Sequence, residues 1–227
     1  MLKITYYGHA AFLMKANDTK ILIDPFLKGN PLSPVAPDDV EADYILITHG
    51  HGDHIGDTIE IAKRTGALAI SNAEICDWLR DKGVRTHALH IGGGHTFPFG
   101  YVKMTQAAHG SSLPDGSYGG NPGGFILNMN DGSHYYFAGD TGLFSDMRLI
   151  GEDGLDAAVI PIGDNYTMGP KDALKAVQFL HPKVVIPIHY DTFDVIRQDV
   201  DAWKTNVEAQ TEANVLVMQP GDNSTSI

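Results

Sequence analysis

Six consecutive residues, His49-Gly50-His51-Gly52-Asp53-His54, concentrate more ligand chemistry than any other stretch of this 227-residue chain. Imidazole and carboxylate donors without a thiolate suit zinc, manganese or iron, and an open, hydrolytic kind of site. His49 and His51 stand two apart and project to one side of an extended chain, so both rings can reach one ion. Asp53 and His54 follow after the chain has turned and can address a neighbouring position. The glycines leave room where side chains crowd, and tolerate the unusual φ values that a tight ligand loop needs. A His-rich loop can also be surface decoration. Four ligand-type residues in six positions, directly after an apolar run, outweigh that reading.

A loop of this kind needs a strand to deliver it, and Tyr44-Ile45-Leu46-Ile47-Thr48 reads as a buried one. Alternation and apolar runs predict further strands near 2–7, 10–15, 20–24 and 67–70. Others are predicted near 86–90, 100–105, 123–129, 134–138, 156–160, 183–188 and 214–218. Helical spacing predicts 57–65, 72–82 with Asn72 and Gly83 at its ends, 170–180 with Pro170 first, and 193–210. Both halves begin with hairpins and go on to alternate strands with helices. Asp24 closes the run Ile21-Leu22-Ile23, His109 follows Val102–Thr105, Asp140 follows Tyr135–Gly139, and His189 follows Val184–Ile188. Residues 110–124, rich in glycine, form a loop rather than a boundary. Nothing divides the chain, which is expected to be one domain over residues 1–227.

The HxHxDH pattern resembles the signature of the metallo-β-lactamase superfamily. The resemblance extends to the whole order: early Asp24, the loop, lone His109, lone Asp140 and final His189. It implies an α/β (α+β) fold, the four-layer αβ/βα sandwich, with two sheets face to face, helices outside and metals at one edge. It also implies the ligand roles: His49, His51 and His109 for a first divalent ion, Asp53, His54 and His189 for a second, and Asp140 between them. Asp24 would be a supporting carboxylate that orients the histidine loop, or else a plain turn residue before Pro25. More narrowly, Gly8-His9-Ala10-Ala11-Phe12, Ile21-Leu22-Ile23-Asp24-Pro25 and the 162–170 segment look like a little-characterised branch of metal-dependent hydrolases, similar to the ascorbate-6-phosphate lactonase group. Two ions roughly 3.5–4 Å apart can share a water and lower its pKa from about 15.7 toward neutrality. The resulting hydroxide would attack a carbonyl or phosphorus, with Asp53 also able to act as general base. His9 is a candidate substrate contact or proton donor.

Bulk properties narrow the partners. A net charge of −12 with 16 basic residues and no basic cluster argues against nucleic acid. No apolar run of about twenty residues spans a bilayer, and the start of the chain lacks the pattern of a signal peptide. The single cysteine, Cys76, falls in an amphipathic helix as a structural thiol and fits a reducing, cytoplasmic setting. The expected partner is a small soluble ester, lactone or phosphoester, with homo-oligomerisation open. Zinc leads as cofactor, with manganese, iron or nickel as alternatives. Competing readings are a mononuclear iron dioxygenase on the same fold, a β-lactam-cleaving enzyme, and a non-catalytic metal-dependent scaffold. His87, His90, His95, His134 and His181 lack partners at ligand spacing. Asp164, Asn165 and Thr167 precede a helix start that could receive an anionic group, or that Thr167 or a neighbour simply caps. Tyr190 and Asp191 are candidate general acids or supporting groups.

Overall fold

A computed structural model describes residues 2–152 and 154–224. Strands β1 (Leu2–Tyr6), β2 (Phe12–Ala16) and β3 (Thr19–Ile23) form an antiparallel meander, and β4 (Tyr44–Leu46), β5 (Leu68–Asn72) and β6 (Thr86–Leu89) continue it in parallel. The second sheet repeats the plan. Strands β7 (Gly94–Phe97), β8 (Gly100–Gln106), β9 (Gly123–Met129) and β10 (His134–Phe137) are antiparallel. Strands β11 (Ala157–Pro161), β12 (Val184–Ile188) and β13 (Asn214–Val215) then run parallel. The final strand, β14 (Asn223–Ser224), returns to the first sheet beside β1.

Alternation explains why these strands stack as two sheets. Ile21 and Ile23 enter the core between the sheets, with Phe12, Phe125 and Phe137, while Leu22 faces outward. Tyr135 and Phe137 do the same in β10, leaving Tyr136 and Ala138 to the opposite face. Each outer face is then apolar and must be covered, which is why the central strands read as near-continuous hydrophobic runs. Helices α2 (Thr58–Thr65) and α3 (Ala73–Asp81) cover the first sheet. Helices α4 (Met147–Gly151), α5 (Pro170–Leu180) and α6 (Val200–Gln210) cover the second. The layers are therefore the αβ/βα sandwich expected from the resemblance.

Local chemistry sets the ends. Asn72 accepts a hydrogen bond from the Ile75 N–H and starts α3, and Gly66 closes α2 in the left-handed region. Four segments differ from expectation. β7 has one buried residue in four, and β14 is two polar residues long, so neither leaves an alternating trace. The helix expected over 193–210 is broken: a 3₁₀ turn at Asp194–Ile196 is followed by extended Arg197, and α6 begins only at Val200, where the Asp199 side chain accepts from Ala202 N–H. α4 was not anticipated. Among the described residues no helix is long and apolar enough to cross a membrane.

Candidate metal centre

The chemistry-bearing residues collect where the parallel strands end. Beyond β4 the chain runs through Thr48 to His51, then enters a short helical turn, α1 (Gly52–Ile55), which carries Asp53 and His54. His49 Nε2 lies 3.0 Å from His51 Nδ1, and His49 Nδ1 lies 3.0 Å from Thr48 Oγ1. Two ring nitrogens of adjacent histidines thus point at one spot, and His109 completes a trio whose ligand atoms lie within 4.8 Å of one another. Asp53, His54, His189 and His9 make a second such group, and His49, His54 and Asp140 a third that overlaps both. Asp140 sits in the middle. Its Oδ1 is 3.2 Å from His54 Nε2, and its Oδ2 is 3.0 Å from His189 Nε2 and 3.5 Å from His109 Nε2. All seven residues named for the two ions are brought together.

Asp24 is fully engaged behind them. Its Oδ1 accepts from Thr48 N–H at 2.8 Å, and its Oδ2 from Thr48 Oγ1 at 2.7 Å, with His54 Nδ1 at 2.8 Å. A carboxylate there holds a proton on His54 Nδ1 and leaves Nε2 as the nitrogen that faces Asp140 and would meet an ion. His9 is completely buried, with Nδ1 2.9 Å from Thr192 Oγ1 and Nε2 3.2 Å from Asp53 Oδ2. Thr192 carried no sequence signal, because it meets His9 across 183 positions.

The unusual backbone angles fall elsewhere than expected. Gly50 and Gly52 both have ordinary φ; a Cβ on Gly50 would stand 3.2 Å from Ser112 O, whereas Gly52 faces open space. The left-handed positions belong to His9 (φ 59°), Asp24 (43°) and His189 (55°). Non-glycine residues held there cost of order 1–3 kcal/mol each and mark sites the surrounding structure over-determines. Gly139 is needed for close approach, since a Cβ would stand 2.7 Å from that of Thr48.

Burial opposes protonation of His54, but Asp140 and Asp24 outweigh it and hold its pKa well above the ordinary 6.5. Burial raises the pKa of Asp140, and the rings of His54 and His189 overcome this, keeping it well below the usual carboxylate range. Burial alone dominates His49 and His109, lowering both, and lowers His9 to about 4. A donor set of this kind fits a divalent cation. His54 Nε2 and Asp140 Oδ1 are buried and have no hydrogen-bond partner among the described residues. Such atoms are costly unless something satisfies them, and here they face each other inside a ring of imidazoles.

Other candidates separate from the centre. Tyr190 packs in the outer core with Trp203 and Val207, where burial and Asp191 push its pKa up to about 12. That environment does not suit a general acid. Thr167 caps nothing: Gly169 is the N-cap of α5 without a side-chain bond, and a Cβ there would stand 2.9 Å from Asp164 Cγ. Asp164 thus places its own carboxylate at the helix start. His87 and His95, which lack partners at ligand spacing in the sequence, have rings 4.4 Å apart because β6 and β7 end up adjacent at the edges of the two sheets. Cys76 is buried, with its thiol near Ser71 and His87 carbonyls, and burial raises its pKa, as for an inert structural thiol.

A model of the Beta-lactamase superfamily domain matches residues 3–189. A UPF0173 metal-dependent hydrolase of Heliobacterium modesticaldum is 51% identical over 233 residues, covering 99% of this chain and 98% of the relative. YtkL, the Bacillus subtilis UPF0173 metal-dependent hydrolase, is 50% identical over 208 residues, covering 89% and 91%. Among solved structures, Igni18, a metallo hydrolase from the hyperthermophilic archaeon Ignicoccus hospitalis, superposes with a TM-score of 0.89 at 41% identity, covering 98% of this chain and 97% of that one. With this architecture and this ring of histidines and aspartates, the chain belongs to the metallo-β-lactamase superfamily and, within it, to the UPF0173 metal-dependent hydrolases.

Proposed function

We propose that the protein is a hydrolase that holds two divalent ions, zinc foremost, and acts on a small neutral ester or lactone. His49, His51 and His109 would hold one ion and Asp53, His54 and His189 the other. The observation that carries this reading is the position of Asp140, whose two oxygens reach imidazoles of both groups. When bound, such ions supply Lewis acidity and bring a water's pKa from about 15.7 toward neutrality. The chain's own groups do the rest. Asp24 keeps the proton of His54 on the far nitrogen, and Asp53, a third exposed, is the carboxylate placed to take a proton from an attacking water.

The surrounding loops favour an uncharged substrate. Segments 24–36, 49–57, 107–122, 139–146, 162–169 and 189–199 contain only Lys28 and Arg197 as cations, and Arg197 is paired with Asp194 at 2.7 Å. They also carry Asp57, Asp115, Asp146, Asp164, Asp191, Asp194 and Asp199 besides the central carboxylates. A phosphomonoester dianion would find little to offset that field. The same charge balance speaks for a small molecule over nucleic acid.

Elemental analysis of protein purified without added metal, followed by a panel of lactones, carboxylic esters and phosphodiesters, tests the reading. Two equivalents of a divalent ion with turnover of a neutral ester or lactone are expected. One equivalent of iron with oxygen consumption would move the protein to the dioxygenase class. Full metal loading without turnover of any of these would leave a binding scaffold.

A further inference from the structure

The two sheets deliver one histidine each from corresponding places. Lys103-Met104-Thr105-Gln106-Ala107-Ala108-His109 leads out of β8, the second strand of its sheet, and Lys3-Ile4-Thr5-Tyr6-Tyr7-Gly8-His9 leads out of β1, the second strand of the other. Lysine, threonine and histidine recur at the same spacing, and each histidine stands three residues past its strand. His109 joins the His49–His51 group, and His9 joins the group of Asp53, His54 and His189. The counterparts nevertheless differ in what their nitrogens do.

His9 has both ring nitrogens engaged by protein. Thr192 Oγ1 lies 2.9 Å from Nδ1 and 3.4 Å from Tyr190 O, while Asp53 Oδ2, a carboxylate oxygen beside Nε2, can only accept. The proton of the neutral imidazole is thereby left on Nε2, which donates to Asp53 Oδ2 at 3.2 Å. His54 Nε2 lies at the same 3.2 Å from Asp140 Oδ1, but the two atoms are not aligned as a hydrogen bond. The residue itself is locked: its carbonyl accepts from His189 N–H at 2.9 Å and Tyr6 O–H at 3.2 Å, and Phe26 and Phe193 pack edge-on against its ring.

We propose that His9 is a positioning residue for Asp53, fixing Oδ2 through Nε2–H and so holding the carboxylate at the second metal position, where that oxygen lies 3.9 Å from His189 Nε2, with Thr192 supporting the tautomer. This rests on the two-ion reading of the centre. A partner of this sort typically changes metal affinity about 10–100-fold without itself touching the ion.

Substitution can separate this role from a structural one. Asparagine is at home in the left-handed backbone that His9 occupies but is too short to reach Asp53. Glutamine suits that backbone less well, yet its amide can extend to donate where Nε2–H does. Zinc alone is titrated into chelator-stripped protein against a chromophoric competitor, alongside urea unfolding of the stripped proteins. Wild type is expected to bind two equivalents. His9→Asn should weaken the second about 10–100-fold and leave the first unchanged, and His9→Gln should recover most of the loss despite equal or lower stability. Thr192→Val should weaken the second equivalent in the same direction, with Thr192→Ser restoring it. Glutamine binding no better than asparagine would make His9 a ligand or a mere packing group and overturn the proposal. Two equivalents bound with wild-type affinity by His9→Asn would overturn it while sparing the two-ion reading. A wild type that holds only one equivalent overturns both.

Discussion

Asp24 and Asp140 stand at matching places in the two halves, each just beyond the last meander strand and buried beside the next parallel strand. Their surroundings have diverged. Asp24 has spent both oxygens on protein donors, one of them a backbone N–H. Asp140 has no such donor for Oδ1 and meets ring nitrogens from both sides. The strand that follows differs as well: β4 opens into His49–His54, whereas β11 opens into a loop without a histidine. One aspartate braces and the other works, although both are carboxylates at a strand end. What decides the role is whether donors surround the carboxylate, since a buried anion with its hydrogen bonds filled is structural and one left open is available.

Asp140→Ala gives the largest effect. It removes the carboxylate whose oxygens lie within 3.5 Å of His54, His109 and His189, so turnover should fall by more than the roughly 100-fold that loss of a supporting partner causes. Initial rates on the best ester or lactone measure it. Activity within tenfold of wild type would reverse the roles assigned to the two aspartates.

Asp24→Ala should cross over with it. In metal-stripped protein it leaves Thr48 and His54 without their acceptor, and breaking a buried pair of this kind costs about 3–5 kcal/mol. Urea unfolding of the two stripped variants should find Asp24→Ala the less stable, while rates find Asp140→Ala the less active. A pH series sharpens this. The raised pKa of His54 means its contribution to stability is full below 6.5 and is lost as pH rises through the raised value. Because Asp24 is one of the groups that raise it, the stability gap between wild type and Asp24→Asn should be widest below pH 6.5 and narrow in alkali. A gap that widens with pH would mean the imidazole is neutral in the folded protein.

The contrast between halves also shows what could be read without coordinates. The metal residues were legible because each ends an apolar strand run, and Ile21–Ile23, Tyr135–Phe137 and Val184–Ile188 have runs that only burial on both faces explains. The brace role of Asp24 was half legible, since a turn residue before Pro25 has the same local sequence. Thr192 was invisible, as was the pairing of His87 with His95, because both depend on which chain segments the fold brings side by side. The break at Arg197 was hidden too: residues 193–210 are polar enough for an exposed helix, and only the capping bond from Asp199 reveals where α6 starts.

The smallest effect belongs to the loop after β11. Asp164 occupies the left-handed region at φ 60°, receives no cluster partner, and sets its carboxylate against the start of α5. A negative charge at a helix N-terminus is worth about 0.3–1 kcal/mol, screened by salt. Asp164→Asn keeps the shape and tolerates the backbone, so it should lose no more than that in urea unfolding, and the loss should shrink at high salt. Metal stoichiometry and turnover should stay at wild-type values, because the ligand groups this half brings to the centre are His109, Asp140 and His189. A tenfold fall in kcat/KM with unchanged metal content would instead make the loop a substrate contact, and the working site would then extend from the metals to the helix start.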